Sequence, residues 1–334
     1  MKQMNLVLLM AIVCFGLLHN PVVSQVNAAE SYSTLMHAGM CDASAAVAVG
    51  SSLFVVGNDE DNILRLYRRD GLEHGPIQRF DLSPFLNLDT KHPEADIEAA
   101  TRIGDRVYWI TSHGANKKGK QRSSRHKFFA TQIKQVGSKV WLEFIGHPYE
   151  SLVNDLNKMP QWRAFALLEA AHYAPKSNGG LNIEGLAAAP DGSLWIAFRN
   201  PVPDAKALLV SLKNPQAVVT GEQAILGEPL MLSLDGLGVR GMEYVPRLGQ
   251  YIIIAGSFGH DDYFRIYRWS GMRQQQPVFI KNIDLGDLKP ESVVVYGDDM
   301  IQLLSDDGTN KVAGKACKRV ENTDKSFRSM SFTP

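Results

Sequence analysis

A unit organised around one acidic residue recurs along this chain, and that recurrence restricts the fold more than any other feature. Each copy sets a Glu before small or apolar residues, a turn six or seven residues later, and then an apolar strand. Asp96-Ile97-Glu98-Ala99-Ala100 leads through Gly104-Asp105 to Val107-Tyr108-Trp109-Ile110. Asn182-Ile183-Glu184-Gly185-Leu186 leads through Asp191-Gly192 to Leu194-Trp195-Ile196, so Trp109 and Trp195 fall at equivalent places. Two further copies are headed by Glu243 and Glu291, and a degenerate one near the start carries Ser44 where the others carry Glu. Five units follow one another at spacings of 54, 86, 59 and 48 residues.

Each unit continues with runs of β-branched, aromatic or alternating residues, the signature of strands. These are Ile63 to Arg68, Phe128 to Ile133, Leu208 to Leu212, Phe264 to Trp269 and Val312 to Cys317, with outer runs at Ile77 to Leu82, Leu230 to Leu234 and Phe279 to Leu285. Up to four strands per unit, repeated at this spacing, predicts an all-β protein, a β-propeller of five blades. A sandwich or barrel gives no reason for a Glu at the head of each unit. The 86-residue interval holds more than a blade. Its excess, Tyr149 to Tyr173, sets Leu152 and Leu156 four apart and Trp162, Phe165 and Leu168 three apart, the spacing of a helical face. We expect two short helices broken near Pro160 and lying over one face, with a sixth blade as the alternative.

The N-terminus carries Lys2, an apolar run from Leu6 to Leu18, and small residues ending Val26-Asn27-Ala28-Ala29. This is the pattern of a secretory signal. The run is short of the roughly 20 residues of a spanning helix, and Cys14 lacks the small neighbour of a lipid-modified cysteine. Residues 1–28 are therefore read as a cleaved signal peptide and residues 29–334 as a single propeller domain, secreted or periplasmic and monomeric. Loss of Lys2 leaves 34 basic against 35 acidic residues. Such a balance argues against general affinity for nucleic acid or anionic lipid, and no later segment is apolar enough to span a membrane. Two cysteines remain, Cys41 and Cys317, at opposite ends of the mature chain. In an oxidising compartment they suggest a disulfide between the first and last blades; two free buried thiols are the alternative.

Four glutamates at the head of successive blades converge on the axis if the repeat holds. Like charges brought together raise one another's pKa unless Arg side chains or a hard cation such as calcium or magnesium neutralise them. Glu98, Glu184, Glu243 and Glu291 are thus candidate metal ligands, and the competing reading pairs them with Arg199, Arg240 or backbone amides. The cationic stretch from Asn116 to Lys127 supplies Lys117 and Lys118, with His113 beside it. That stretch is either a phosphate- or carboxylate-recognising loop or a solvated hairpin. His113 has no second His at zinc spacing. Ser112, His113 and Asp105 lack a nucleophile elbow.

The segments Glu94 to Ala100, Ser112 to Lys120, Asn182 to Ala187 with Phe198 to Pro201, and Tyr263 to Trp269 together resemble a bacterial family named domain of unknown function 3616. The resemblance covers nearly all of the mature chain. It implies kinship with phytase-like and lactonase-like propellers, many of which hold calcium near the axis, but supplies no activity and no catalytic residue. We therefore expect an exported propeller binding a small anionic or metal-bridged ligand at its channel through His113, Lys117, Lys118, Arg199 and Arg240. A metal-dependent hydrolase of phosphate esters or lactones, with a channel Glu as base, and a protein-interaction scaffold are the other readings. Whether the chain is an enzyme is left open by the sequence.

Overall fold

A computed structural model describes residues 32–71, 75–137, 139–297 and 300–333; the expected signal peptide lies outside the described residues. The first strand, β1 (Thr34–Ala38), stands apart from the blade that follows it in sequence. Blade 1 is β2 (Ala45–Val49), β3 (Leu53–Gly57), β4 (Ile63–Arg68) and β5 (Gln78–Asp81). Blade 2 is β6 (Ile97–Ile103), β7 (Arg106–Thr111), β8 (Phe128–Val136) and β9 (Lys139–Tyr149). Blade 3 is β10 (Asn182–Ala188), β11 (Leu194–Asn200), β12 (Ala207–Leu212) and β13 (Leu230–Leu232). Blade 4 is β14 (Gly238–Val245), β15 (Gln250–Gly256), β16 (Phe264–Trp269) and β17 (Val278–Phe279). All four are antiparallel meanders in sequence order.

Blade 5 begins with β18 (Pro290–Val295) and β19 (Ile301–Ser305) but does not continue as the sequence suggested. Val312 to Cys317 is not its third strand. The segment folds into a small hairpin of β20 (Lys311–Val312) and β21 (Lys315–Ala316), turned at Ala313 and Gly314 with φ of 47° and 81°. The third strand is β22 (Ser326–Phe332), which buries Phe327 and Ser329 on one face and Met330 and Phe332 on the other, and β1 pairs with it as the fourth. The N-terminal strand thereby closes the ring. Cys41 and Cys317 form a disulfide with Cα atoms 5.9 Å apart, joining the β1–β2 connection to the segment before β22.

Five apolar clusters hold the ring, each shared by two neighbouring blades. Val47, Val55, Ile97 and Trp109 bury blade 1 against blade 2, and Trp195, Val239 and Tyr251 bury blade 3 against blade 4. Phe54, Tyr67, Val294 and Phe327 join blade 5 to blade 1, where His37 stacks on Phe327 with ring centroids 4.9 Å apart. The innermost strands β2, β6, β10, β14 and β18 contact one another around the circle.

The helical excess is present as α1 (Leu152–Lys158), a 3-10 turn (Pro160–Phe165) and α2 (Leu167–Ala170); a third helix, α3 (Pro215–Val219), follows β12. It does not simply cover a face. Leu152, Leu156 and Trp162 enter the core shared by blades 2 and 3, and the Trp162 indole donates to the Gly227 carbonyl at 2.9 Å. Leu168, expected on the inner face, is exposed, and Leu167 is buried in its place. Ala166, at φ 47°, breaks the helical phase between Phe165 and Leu167.

Candidate functional site

Each innermost strand except β2 opens with a β-bulge, at Glu98 in β6, Glu184 in β10, Arg240 in β14 and Glu291 in β18. A bulge leaves one residue outside the ladder and re-aims its side chain. Ser44 holds the corresponding place before β2, and its hydroxyl lies 3.4 Å from Glu291 Oε2. The ring around this mouth of the channel is thus Ser44, Glu98, Glu184, Arg240 and Glu291. Glu243 is not a member. Blade 4 aligns three residues earlier than the repeat of glutamates suggested, which gives spacings of 56 and 51 residues in place of 59 and 48. The sequence did carry a signal for this. Gly241 follows Arg240 as Gly185 follows Glu184, and a Cβ would stand 2.4 Å from the Glu291 carbonyl at one and 2.6 Å from Ala197 Cβ at the other.

The Arg240 guanidinium lies between two of the glutamates. Its Nε is 2.8 Å from Glu184 Oε2, and its Nη2 is paired with Glu291. Glu184 also accepts from Arg199 Nη1 at 2.8 Å and from Asn182 Nδ2 at 2.6 Å. Arg199 extends the network to the Ser257 and Gly259 carbonyls at 3.1 and 2.9 Å, pinning the loop after β15. Glu98 is buried without such an ion pair among the described residues. Burial, with Glu184, Asp96 and Asp59 nearby, drives its carboxyl well above the usual range.

Charge is distributed unevenly around this mouth. On the side of blades 5, 1 and 2, carboxylate oxygens of Asp42, Asp59 and Glu60 lie within 4.8 Å of one another. Burial, then Asp59 and Asp306, pushes Asp42 up to about 10, and burial with Asp306 nearby also raises Asp59 well above the usual carboxylate range. Asp96, held by Arg125 at 2.9 Å, is raised to about 6 by burial. On the side of blades 3 and 4, Lys176, Arg199 and Arg240 line a recess of about 260 Å³ whose wall also carries Asp261, Asp306 and Lys289 paired with Asp262 at 2.7 Å. Burial and the two arginines lower the Lys176 pKa. None of the ion pairs among the described residues involves Lys176.

Of the residues singled out in the sequence, Arg199 and Arg240 line the recess, and Glu98, Glu184 and Glu291 form the ring beside it. Glu243 lies one tier along the axis, accepting from the Thr101 hydroxyl at 2.9 Å and from the Tyr244 amide at 2.8 Å. Lys117 and Lys118 are exposed on a turn organised by the Asn116 side chain and do not line the recess. His113 is buried, with Nδ1 2.8 Å from the Thr111 carbonyl and a pKa lowered by burial to about 3. Arg125 and Lys127 of the same stretch are bound to Glu94 and Asp96 and to Glu150. Lys176, Asp59, Glu60 and Asp306 were not singled out, because they lie in connections that the repeat does not register.

The family model for a protein of unknown function, DUF3616, matches residues 42–145 and 147–300. The chain belongs to the DUF3616 family. No curated protein matches it significantly. Among solved structures, this DUF3616 protein is similar to an oxidoreductase described as a glucose dehydrogenase from Thermus thermophilus, at 9% identity and TM-score 0.45, over 90% of this chain and 100% of that one. Virginiamycin B lyase from Staphylococcus aureus aligns at 9% identity and TM-score 0.43, over 90% and 100%. A calcium-binding regucalcin from Agrobacterium tumefaciens aligns at 9% and 0.38, over 87% and 90%. The five-bladed architecture rests on the strand topology itself.

Proposed function

We propose that this DUF3616 protein is an exported propeller that binds a small anionic molecule in the recess above Arg240. One observation carries the reading: Lys176, Arg199 and Arg240 converge on a single recess in which Lys176 has no carboxylate partner among the described residues. The Lys176 ammonium, beside two guanidinium charges, suits a phosphate or carboxylate as a mobile point charge. The signal-like N-terminus and the disulfide support export, and no helix among the described residues is long and apolar enough to cross a membrane.

A second reading is favoured by the Asp42, Asp59 and Glu60 cluster, whose hard oxygen donors suit calcium. In that reading the ligand is bridged by the cation, and a metal-dependent hydrolase follows if a bound water is activated. Lys318, 2.9 Å from Glu60, competes with a cation there.

Isothermal titration of the mature protein with inorganic phosphate and a panel of small carboxylates and phosphate esters tests the proposal. Binding is expected with chelator present, weakened about ten-fold or more in Lys176→Met, the worth of one charge-assisted hydrogen bond. It should fade at alkaline pH earlier than an ordinary lysine would dictate, since the Lys176 pKa is lowered. Binding that needs calcium supports the bridged reading. No binding of any anion refutes both.

A further inference from the structure

The opposite mouth of the channel is chemically unlike the first. It holds a recess of about 430 Å³ whose floor includes Glu243 and whose walls include Val47, Tyr244, Pro246, Val293 and Val295. The other charged lining residue, Arg102, is engaged elsewhere: its guanidinium donates to the Gly104 and Ala48 carbonyls and to Asp105, fastening blade 2 to blade 1. Thr101 accepts the Ala188 amide at 2.9 Å, so its single hydroxyl proton is directed at Glu243. Glu243 is therefore held by one hydroxyl and one amide. Glu184, Glu291 and Asp96 each have an arginine, whereas no Lys, Arg or His of the described residues pairs with Glu243.

From this we infer that the far mouth is a second binding site, for a compact organic ammonium ion, with Glu243 as counter-charge and Tyr244, Pro246 and Val295 as its apolar bed. A hard metal ion finds a single carboxylate here rather than the six or so oxygens it needs. An anion would be repelled by Glu243. An alkylated ammonium satisfies both halves of the site, charge against carboxylate and methyl groups against Val295, Pro246 and the Tyr244 ring.

Burial raises the Glu243 carboxyl to about 8, so a cation must displace a proton at neutral pH. The charged or titratable groups around it are Arg102, Tyr244, Tyr251 and Tyr296, and burial pushes the Tyr251 hydroxyl upward.

Choline keeps its charge at every pH, and dimethylbutanol is its neutral carbon isostere. Titrated into the mature protein, choline is expected to bind more than about ten-fold tighter at about pH 9 than at about pH 6.5, because only ionised Glu243 pairs with it. Dimethylbutanol should bind equally at both. Glu243→Gln should abolish the choline preference and its pH dependence, while Lys176→Met should leave choline binding unchanged. If Glu243→Gln does not fold, the wild-type comparison of the two probes decides. No choline binding, affinity independent of pH, or affinity no better than that of the neutral isostere overturns the assignment.

Discussion

At the scale of single residues, the lesson lies in β14, where Arg240 takes the ring position that the sequence suggested for Glu243, three residues on. In a regular strand, residues three apart face opposite sides, but the bulge at Arg240 shifts the alternation by one, and both reach the channel on different tiers. The same offset relates Glu98 to Thr101 in β6, and Thr101 is the residue that meets Glu243. The consequence for Glu243 is thermodynamic. Its carboxyl titrates at about 8 in the folded protein, against about 4.3 in an unfolded chain. Between those values the folded form binds more protons, so stability falls as pH rises through that window. Glu243→Gln, which keeps a side-chain oxygen for Thr101 and the Tyr244 amide, should flatten the fall. Urea midpoints at about pH 5 and pH 8.5 measure it, and an unchanged difference between wild type and variant would exclude Glu243 as its source.

At the scale of elements, blades 1 to 4 were legible, β9 apart, because the first two strands of each unit are joined by a Gly-containing turn and followed by further strand-like runs. Blade 5 was legible only in its first two strands. Its third strand is separated from the second by a 20-residue excursion, and its fourth comes from the other end of the chain. No local periodicity encodes such a pairing. The disulfide was the long-range clue, since Cys41 and Cys317 are 276 residues apart in sequence and adjacent in space. The β1–β22 pairing and this bond together close the ring, and a cross-link over so long a loop restricts the unfolded chain strongly. Replacing both cysteines by serine should therefore cost about 2–5 kcal/mol, read as a lower denaturation midpoint that reductant no longer changes. A variant as stable as oxidised wild type would show that strand pairing alone closes the ring.

At the scale of the whole molecule, five equivalent strand starts bring Ser44, Glu98, Glu184, Arg240 and Glu291 to one end of the axis, with the Asp42, Asp59 and Glu60 cluster on one side and Lys176, Arg199 and Arg240 on the other. Convergence of glutamates was readable from the repeat; the identity of their counter-charge was not, because one arginine in an irregular unit substitutes for a fourth carboxylate. Arg240 and Arg199 neutralise Glu184 and Glu291 of this ring. The direct measurement is the unfolding midpoint of Glu184→Gln relative to wild type, taken once with calcium and once with chelator. The same loss of stability is expected in both, because the carboxylate removed is paired with two arginines. A loss seen with calcium and absent with chelator would make Glu184 a metal ligand and contradict this neutralisation.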